Sequence, residues 1–323
     1  MKKYKVIVTD DRFGTYEEER AVLEEIGADL VVHDCMNDDE LIAAARGADG
    51  IIVNLYPMNS QVMQRLNGCR IISRYGVGYD NVNVEAATNA GIWVSIVPDY
   101  GVEEVSDHVL ALLLGLVRNI PFVHREIKNG KWNLQNQITV PRLTGKVLGI
   151  IGYGRIGRSL HRKVSGFGFS RVLVTDPYVT PGEIRAHGGE PVSMEVLLKT
   201  ADFISIHVCL NRETKHMIGA KELQLMKSAA IIINTARGGI IDENALCNAL
   251  KSRQITAAGL DVFETEPIKE KSILFELENV LLTSHMAYYS EESIVELKTK
   301  AARNVAEVLK GNKPLYPINN ITR

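Results

Sequence analysis

Short β-branched runs alternate with helical patterns from the N-terminus onward. Lys5 to Thr9, Leu30 to His33, Ile51 to Val53, Arg70 to Ser73 and Trp93 to Ser95 read as strands, while Glu17 to Ile26, Asp39 to Ala45, Gln61 to Leu66 and Glu85 to Asn89 read as helices. Such alternation predicts a parallel sheet flanked by helices, a first doubly wound unit. Around Pro98 to Gly101 the pattern changes. An apolar-striped helix is predicted from about Glu103 to Arg118, with Glu103, Glu104 and Asp107 in its first turns, where negative charge favours the helix dipole. Asn129 to Arg142 is polar and loop-like. Alternation resumes at Val147 and runs through Leu282, with strands near Val172 to Thr175, Phe203 to Ile206, Ile231 to Asn234 and Ala257 to Leu260. The final helix, Glu291 to Leu309, comes too late to be needed by this second unit and can return to the first. The predicted chain is α/β with two doubly wound parallel-sheet domains: residues 1–100 plus 290–323 form a discontinuous one, residues 101–289 the other.

Size agrees with two domains, since 323 residues exceed what one core usually organises. A content of 46% hydrophobic and 24% charged residues is that of a soluble protein, folded throughout. The formal net charge of -2 gives no footprint for wrapping nucleic acid or lying on anionic lipid. Cys35, Cys69, Cys209 and Cys247 are far apart and lack C-x-x-C spacing, so neither a metal site nor a disulfide framework is expected, and the thiols read as reduced and buried. Val6 to Val8 is too brief for a signal-peptide core. Val109 to Val117 falls well short of the roughly 20 residues that span a bilayer and reads as a buried helix. A cytoplasmic location follows as the expectation.

One loop carries cofactor chemistry. The run Val147-Leu-Gly-Ile-Ile-Gly152-Tyr153-Gly154-Arg155-Ile156-Gly157 is an apolar strand entering G-x-G-x-x-G and then a helical pattern. Gly152 permits the tight turn, Gly154 lets backbone approach a pyrophosphate, Gly157 lets the helix pack on the strand, and the helix N-terminus offers N–H groups to phosphate. The next strand ends in Asp176-Pro177, nineteen residues beyond the last glycine. A carboxylate there accepts hydrogen bonds from a ribose 2'-hydroxyl and repels a 2'-phosphate, which favours NAD over NADP. The bland alternative, a glycine turn without ligand, is weakened by the strand before, the helix after and the spaced acid.

Three loops after predicted strands of the second domain hold the remaining polar candidates: Asn234-Thr235-Ala236-Arg237-Gly-Gly, Gly259-Leu-Asp261-Val-Phe-Glu264-Thr-Glu266-Pro267, and Leu282-Thr-Ser-His285. The carboxyl ends of strands in such sheets face the ligand crevice, so Arg237, Glu266 and His285 can converge although distant in sequence. Reduction of a 2-keto acid needs hydride at the carbonyl carbon, a proton at its oxygen and a cation for its carboxylate. An imidazole at 285 can give and take a proton. Glu266, or its neighbour Glu264, can accept the other ring N–H, and the planar fork of Arg237 can clamp the carboxylate. Taken singly, each has an ordinary reading as a surface ion pair or a structural histidine.

Together, NTARGGIID, GLDVFETEP and the late His285, following LGIIGYGRIG, resemble the D-isomer-specific 2-hydroxyacid dehydrogenases over essentially the whole chain. The resemblance implies a flavodoxin-like substrate domain, a Rossmann NAD-binding domain that closes with it over the cofactor, and a D product. It makes Arg237, Glu266 and His285 the catalytic trio, with Glu266, before Pro267, preferred over Glu264. It places Gly152 to Gly157, Asp176, Pro177, His207, Val208, Cys209, Thr214, Thr235, Ala236, Arg237, Asp261 and His285 at the cofactor. In Arg74-Tyr-Gly76-Val77-Gly78 it assigns the substrate carboxylate to the N–H groups of Val77 and Gly78. Cys209 departs from the proline common at that position. Tyr56, Tyr100 and Tyr288, with Asn54, are nominated for the substrate pocket. A homodimer is implied, with Glu103 to Lys131 and the following loop as its contact. Val102 to Asp107 and His285 to Ser293 resemble most the branch of the C-terminal-binding-protein corepressors, whose active-site tryptophan is replaced by Tyr288. That branch raises a rival reading, an NADH-sensing dimeric binding protein with little turnover, and the scaffold is shared by phosphite and formate dehydrogenases.

Overall fold

Five of the β-branched runs become parallel strands in the computed structural model, which describes residues 3–321: β1 (Tyr4–Val8), β2 (Ala28–Val32), β3 (Gly50–Val53), β4 (Ile71–Arg74) and β5 (Trp93–Ser95). They order as β2-β1-β3-β4-β5, with Val6 opposite both Leu30 and Gly50. Strands β3 and β4 are buried along their whole length, which is why they read as continuous apolar runs. The connecting helices are α1 (Glu17–Glu24), α2 (Asp38–Ala44), α3 (Ser60–Arg65) and α4 (Val84–Asn89). Asn37, Asn59 and Asn83 cap the last three by accepting the N–H groups of Glu40, Val62 and Ala86.

The C-terminal helix, Glu291–Leu309, belongs to the same compact unit, which comprises residues through Gly101 and those from Ser290. Ser73 Oγ donates to Ala301 O at 2.9 Å, and a Cβ on Gly50 would stand 2.8 Å from Val305 Cγ1, so strand and helix meet at a distance only glycine permits. Lys298 of this helix is buried and ion-paired with Glu18 beside the wholly buried Glu19, whose other oxygen accepts the Tyr75 hydroxyl at 2.6 Å. Burial pushes the Glu19 carboxyl up, and the Tyr75 bond and Lys298 charge offset part of that rise.

The second unit, Val102–Tyr289, contains β6 (Val147–Ile151), β7 (Arg171–Thr175), β8 (Glu190–Pro191), β9 (Phe203–Ile206), β10 (Ile231–Asn234), β11 (Ala257–Leu260) and β12 (Val280–Leu282), all parallel. Their order is β12-β11-β10-β9-β6-β7-β8, so the chain reverses direction across the sheet between β6 and β9. Such a switch point opens a crevice at the carboxyl ends of the two strands. The helices are α5 (Val102–Val117), α6 (Ile120–Lys128), α7 (Arg155–Lys163), α8 (Pro181–Ala186), α9 (Met194–Thr200), α10 (Ala220–Leu225) and α11 (Glu243–Lys251). Ile232 enters one core layer with Leu197 and Leu246, while Ile231 and Ile233 enter the other with Val109, Leu112 and Leu160. Alternate residues of one strand thus anchor both helical layers.

Local details add to the sequence reading and correct it at one thiol. Helix α6 follows Asn119, whose positive φ of 52° turns the chain, and Pro121 starts it. Its mixed composition hides an amphipathic face. Within the polar stretch 129–142, Leu134–Gln137 forms a 3-10 turn with Leu134 buried. Cys209 is exposed, because it lies on the loop beyond β9, whereas Cys35, Cys69 and Cys247 are buried. Among the described residues no single helix is long and apolar enough to cross a membrane.

Candidate active site

At the end of β6 the glycine loop is shaped by three different demands. Gly152 has φ +92°, and a Cβ there would stand 2.8 Å from the His207 carbonyl carbon. Gly157 is pressed on the Gly152 carbonyl, leaving no room for a side chain. Gly154 faces open space and caps α7 without a side-chain hydrogen bond, so the first N–H groups of that helix point where an anion can reach them. Asp176, after β7, accepts the N–H of Tyr153 at 2.7 Å and that of Tyr178 at 2.8 Å, which pins it at the loop. Tyr153 itself is buried, its hydroxyl 2.5 Å from His161 Nδ1.

Loops after β9 and β10 frame the other side. His207 lies beneath the glycine loop, its N–H donated to Ile151 O at 2.7 Å, and burial pushes its ring down to about 4. Thr214 ties the next turn together by donating to Cys209 O at 2.6 Å. Thr235 Oγ1 is buried and has no hydrogen-bond partner among the described residues, although a buried hydroxyl normally finds one. An open glycine cradle, uncapped N–H groups, a carboxylate at the ribose spacing and this orphaned hydroxyl fit a dinucleotide.

His285 occupies the loop after β12 in a left-handed backbone conformation, φ +51°. Its N–H donates to Asp261 O at 2.7 Å, and the Asp261 carboxylate, wholly buried, accepts the N–H groups of Met286 at 3.0 Å and Ala287 at 2.9 Å. Asp261, expected at the cofactor, therefore braces the turn that carries the imidazole. His285 Nδ1 lies 2.5 Å from Glu266 Oε2, and Glu266 Oε1 accepts the Phe263 N–H at 3.0 Å. An ionised carboxylate only accepts, so Nδ1 carries the hydrogen of this contact and Nε2 remains for proton exchange. Burial raises the Glu266 carboxyl, but the His285 hydrogen bond and charge, the Phe263 N–H and the Arg237 charge outweigh it and hold the group below the usual carboxylate range.

That influence places Arg237 within electrostatic reach of the pair. Its Nη1 donates to Ala236 O at 2.9 Å, and Asn234 Nδ2 fixes the loop by donating to Arg237 O. Gly238 follows because a Cβ there would run into the Phe263 carbonyl. The two glutamates part company: Glu264 Oε1 lies 2.6 Å from His216 Nε2 and accepts the Glu243 N–H, while Glu266 serves His285.

Residues 110–287 match the family model described as D-isomer specific 2-hydroxyacid dehydrogenase, NAD binding domain. The chain belongs to the D-isomer specific 2-hydroxyacid dehydrogenases. D-3-phosphoglycerate dehydrogenase of Methanocaldococcus jannaschii is 38% identical over 95% of this chain, which spans 58% of that protein. Glyoxylate reductase of Thermococcus litoralis is 38% identical, with 86% of each chain covered. The structure of D-lactate dehydrogenase from Aquifex aeolicus, complexed with NAD and lactic acid, superposes with a TM-score of 0.86 at 28% identity, covering 95% of this chain and 96% of that one. Within this dehydrogenase family the second unit is the nicotinamide dinucleotide domain.

The first unit presents its own candidates. Gly76 has φ +126° and no room for a side chain beside the Arg74 guanidinium, and Val97 N–H donates to its carbonyl. The N–H groups of Val77 and Gly78 donate to no other backbone carbonyl among the described residues. Tyr100 is buried near this turn, its hydroxyl 3.3 Å from where a Gly76 Cβ would be. The Tyr56 ring is in the core, and its hydroxyl donates to Asp38 at 2.7 Å. Asp10 accepts the backbone N–H groups of Asn54 and Leu55 at 2.9 and 2.6 Å. In the second unit Tyr288 stands edge-on to His285, ring centres 6.3 Å apart. Sequence reasoning missed His108, which reaches the His285 loop; its sole signal was a polar residue at the apolar edge of α5.

Proposed function

We propose that this chain reduces a small 2-keto acid to the D-2-hydroxy acid with NADH, and runs the reverse oxidation with NAD. The observation that carries the reading is the Glu266–His285 pair at 2.5 Å with the Arg237 charge beside it, on loops of a dinucleotide fold. The bound nicotinamide supplies or takes the hydride. His285 Nε2 gives the proton to the carbonyl oxygen, or removes it from the hydroxyl in oxidation, while Glu266 orients the ring through Nδ1. Arg237 clamps the carboxylate and polarises the carbonyl. In residues 1–100 with 290–323, read as the substrate domain, the N–H groups of Val77 and Gly78 suit a substrate carboxylate.

Asp176 supports NAD over NADP, since its charge opposes a 2'-phosphate. Exposed Ile120, Ile127 and Trp132, on α6 and just beyond, support a homodimer through this segment. Free thiols support a cytoplasmic setting. The corepressor branch rests on the segments 102–107 and 285–293 alone. One experiment tests these readings: purified protein with NADH or NADPH and glyoxylate, pyruvate or other 2-keto acids, with NAD plus phosphite or formate as further arms. Multiple turnovers of NADH with a keto acid and a D product are expected. Tight NADH binding without consumption supports the sensor instead, and oxidation of phosphite or formate alone replaces the substrate.

A further inference from the structure

Gly259, in the middle of β11, has no side chain, and a Cβ there would meet Leu112 Cβ at 3.2 Å and Leu116 Cδ1 at 3.3 Å. Helix α5 therefore lies close against this strand. His108, one turn before Leu112 on the same helical face, is carried to the carboxyl end of the sheet. There its Nε2 is 2.8 Å from Thr283 Oγ1 and 3.6 Å from Asp261 Oδ1. Thr283 Oγ1 is 2.6 Å from Asp261 Oδ1, and Asp261 accepts the N–H groups of Met286 and Ala287 while its carbonyl accepts that of His285.

The direction of these bonds is determined by their chemistry. A buried carboxylate only accepts, so the single Thr283 hydroxyl hydrogen goes to Asp261. The hydroxyl oxygen must then accept from His108, whose Nε2 carries a hydrogen. We infer that His108 and Thr283 are positioning residues for the reaction: they orient the Asp261 carboxylate, whose bonds to the following N–H groups hold His285 in its left-handed conformation and aim Nε2. The proposal rests on His285 being the acid/base. A non-glycine residue in this backbone region is held only by surrounding contacts, because the conformation itself costs of order 1 kcal/mol or more. Removing the hydroxyl takes one of three donors from a wholly buried carboxylate and leaves the turn less determined.

The test compares Thr283→Val, Thr283→Ser and His108→Leu in the full chain. Thr283→Val is expected to lower kcat at least tenfold, with KM for the keto acid and Kd for NADH within threefold, and Thr283→Ser to restore most of the loss. Hydrogen exchange supplies a readout independent of turnover: the amides of Met286 and Ala287 exchange at least tenfold faster in Thr283→Val and keep their protection in Thr283→Ser. His108→Leu reproduces both effects in weaker form and replaces Thr283→Val should that variant not fold. Unchanged kcat with unchanged exchange overturns the inference, as does a loss of NADH affinity that parallels the loss of kcat. Absence of turnover in the unmodified protein sinks the catalytic reading alone, while the exchange result still decides whether the brace exists.

Discussion

Glu266 Oε2 touches His285 Nδ1 at 2.5 Å while its second oxygen is held by the Phe263 N–H, so the carboxylate is fixed before it fixes the imidazole. Glu266→Gln keeps the shape and removes the charge. The expected result is a fall in kcat/KM of about 100-fold, within the range assigned to a positioned acid/base. Initial rates of the unmodified protein and the variant, saturated in NADH with the keto acid varied, measure it.

His207 links stability to pH. Burial depresses its ring from 6.5 to about 4, so between those values the unfolded chain binds a proton that the folded chain refuses. This contribution is complete above pH 6.5 and is lost as pH falls toward 4. Urea unfolding at steps through that window should show a falling midpoint, and His207→Gln should reduce the slope. An equal slope in both proteins would contradict it.

Gly157→Ala puts a methyl group into the Gly152 carbonyl, contact that only displacement of α7 from β6 can relieve. NADH affinity, read by fluorescence titration, should fall at least tenfold, and stability by about 2 kcal/mol, as for overpacking. Gly154→Ala meets open space and serves as the control for the fold.

Asp176→Ser removes the charge that opposes a 2'-phosphate while leaving a hydrogen-bonding group for the Tyr153 N–H. The ratio of kcat/KM for NADPH over NADH is expected to rise by about tenfold, the effect of roughly 1.4 kcal/mol of relieved repulsion. Steady-state assays with the two coenzymes measure it.

In the first unit, Lys298→Met leaves Glu18 and the buried Glu19 without their cation. Breaking one side of a buried ion pair costs about 3 kcal/mol, so thermal unfolding should move down by several degrees. The double change with Glu18→Gln is expected to recover part of the loss.

Much of this architecture was legible because its strands are buried on both faces and its helices are punctuated. Val6 to Val8 and Ile231 to Ile233 can be little else than central strands, and G-x-G-x-x-G with Asp176 marks where the first crossover of the second sheet lies. Edges were harder. The two residues of β8 carry no periodicity, and α6 begins with Ile120-Pro121 after a left-handed asparagine, a start that composition does not announce. At the site, sequence could name both Glu264 and Glu266 but resolve neither by spacing; the fold does so by giving His216 to one and His285 to the other. Tyr56 and Asp261 carry a second task that sequence does not announce, since a polar atom near the right loop can also hold that loop. The bond from His108 to Thr283 spans 175 residues and has no local signature at all.

The left-handed backbone at position 285 joins two selective demands in one residue. Branched aliphatic side chains and proline are shut out on steric grounds before chemistry is considered, whereas asparagine enters this region readily. A comparison of His285→Gln with His285→Asn would therefore separate the worth of the proton donor from the worth of a tolerated torsion. Any library screened for altered chemistry at this point on the chain samples a much narrower alphabet than twenty.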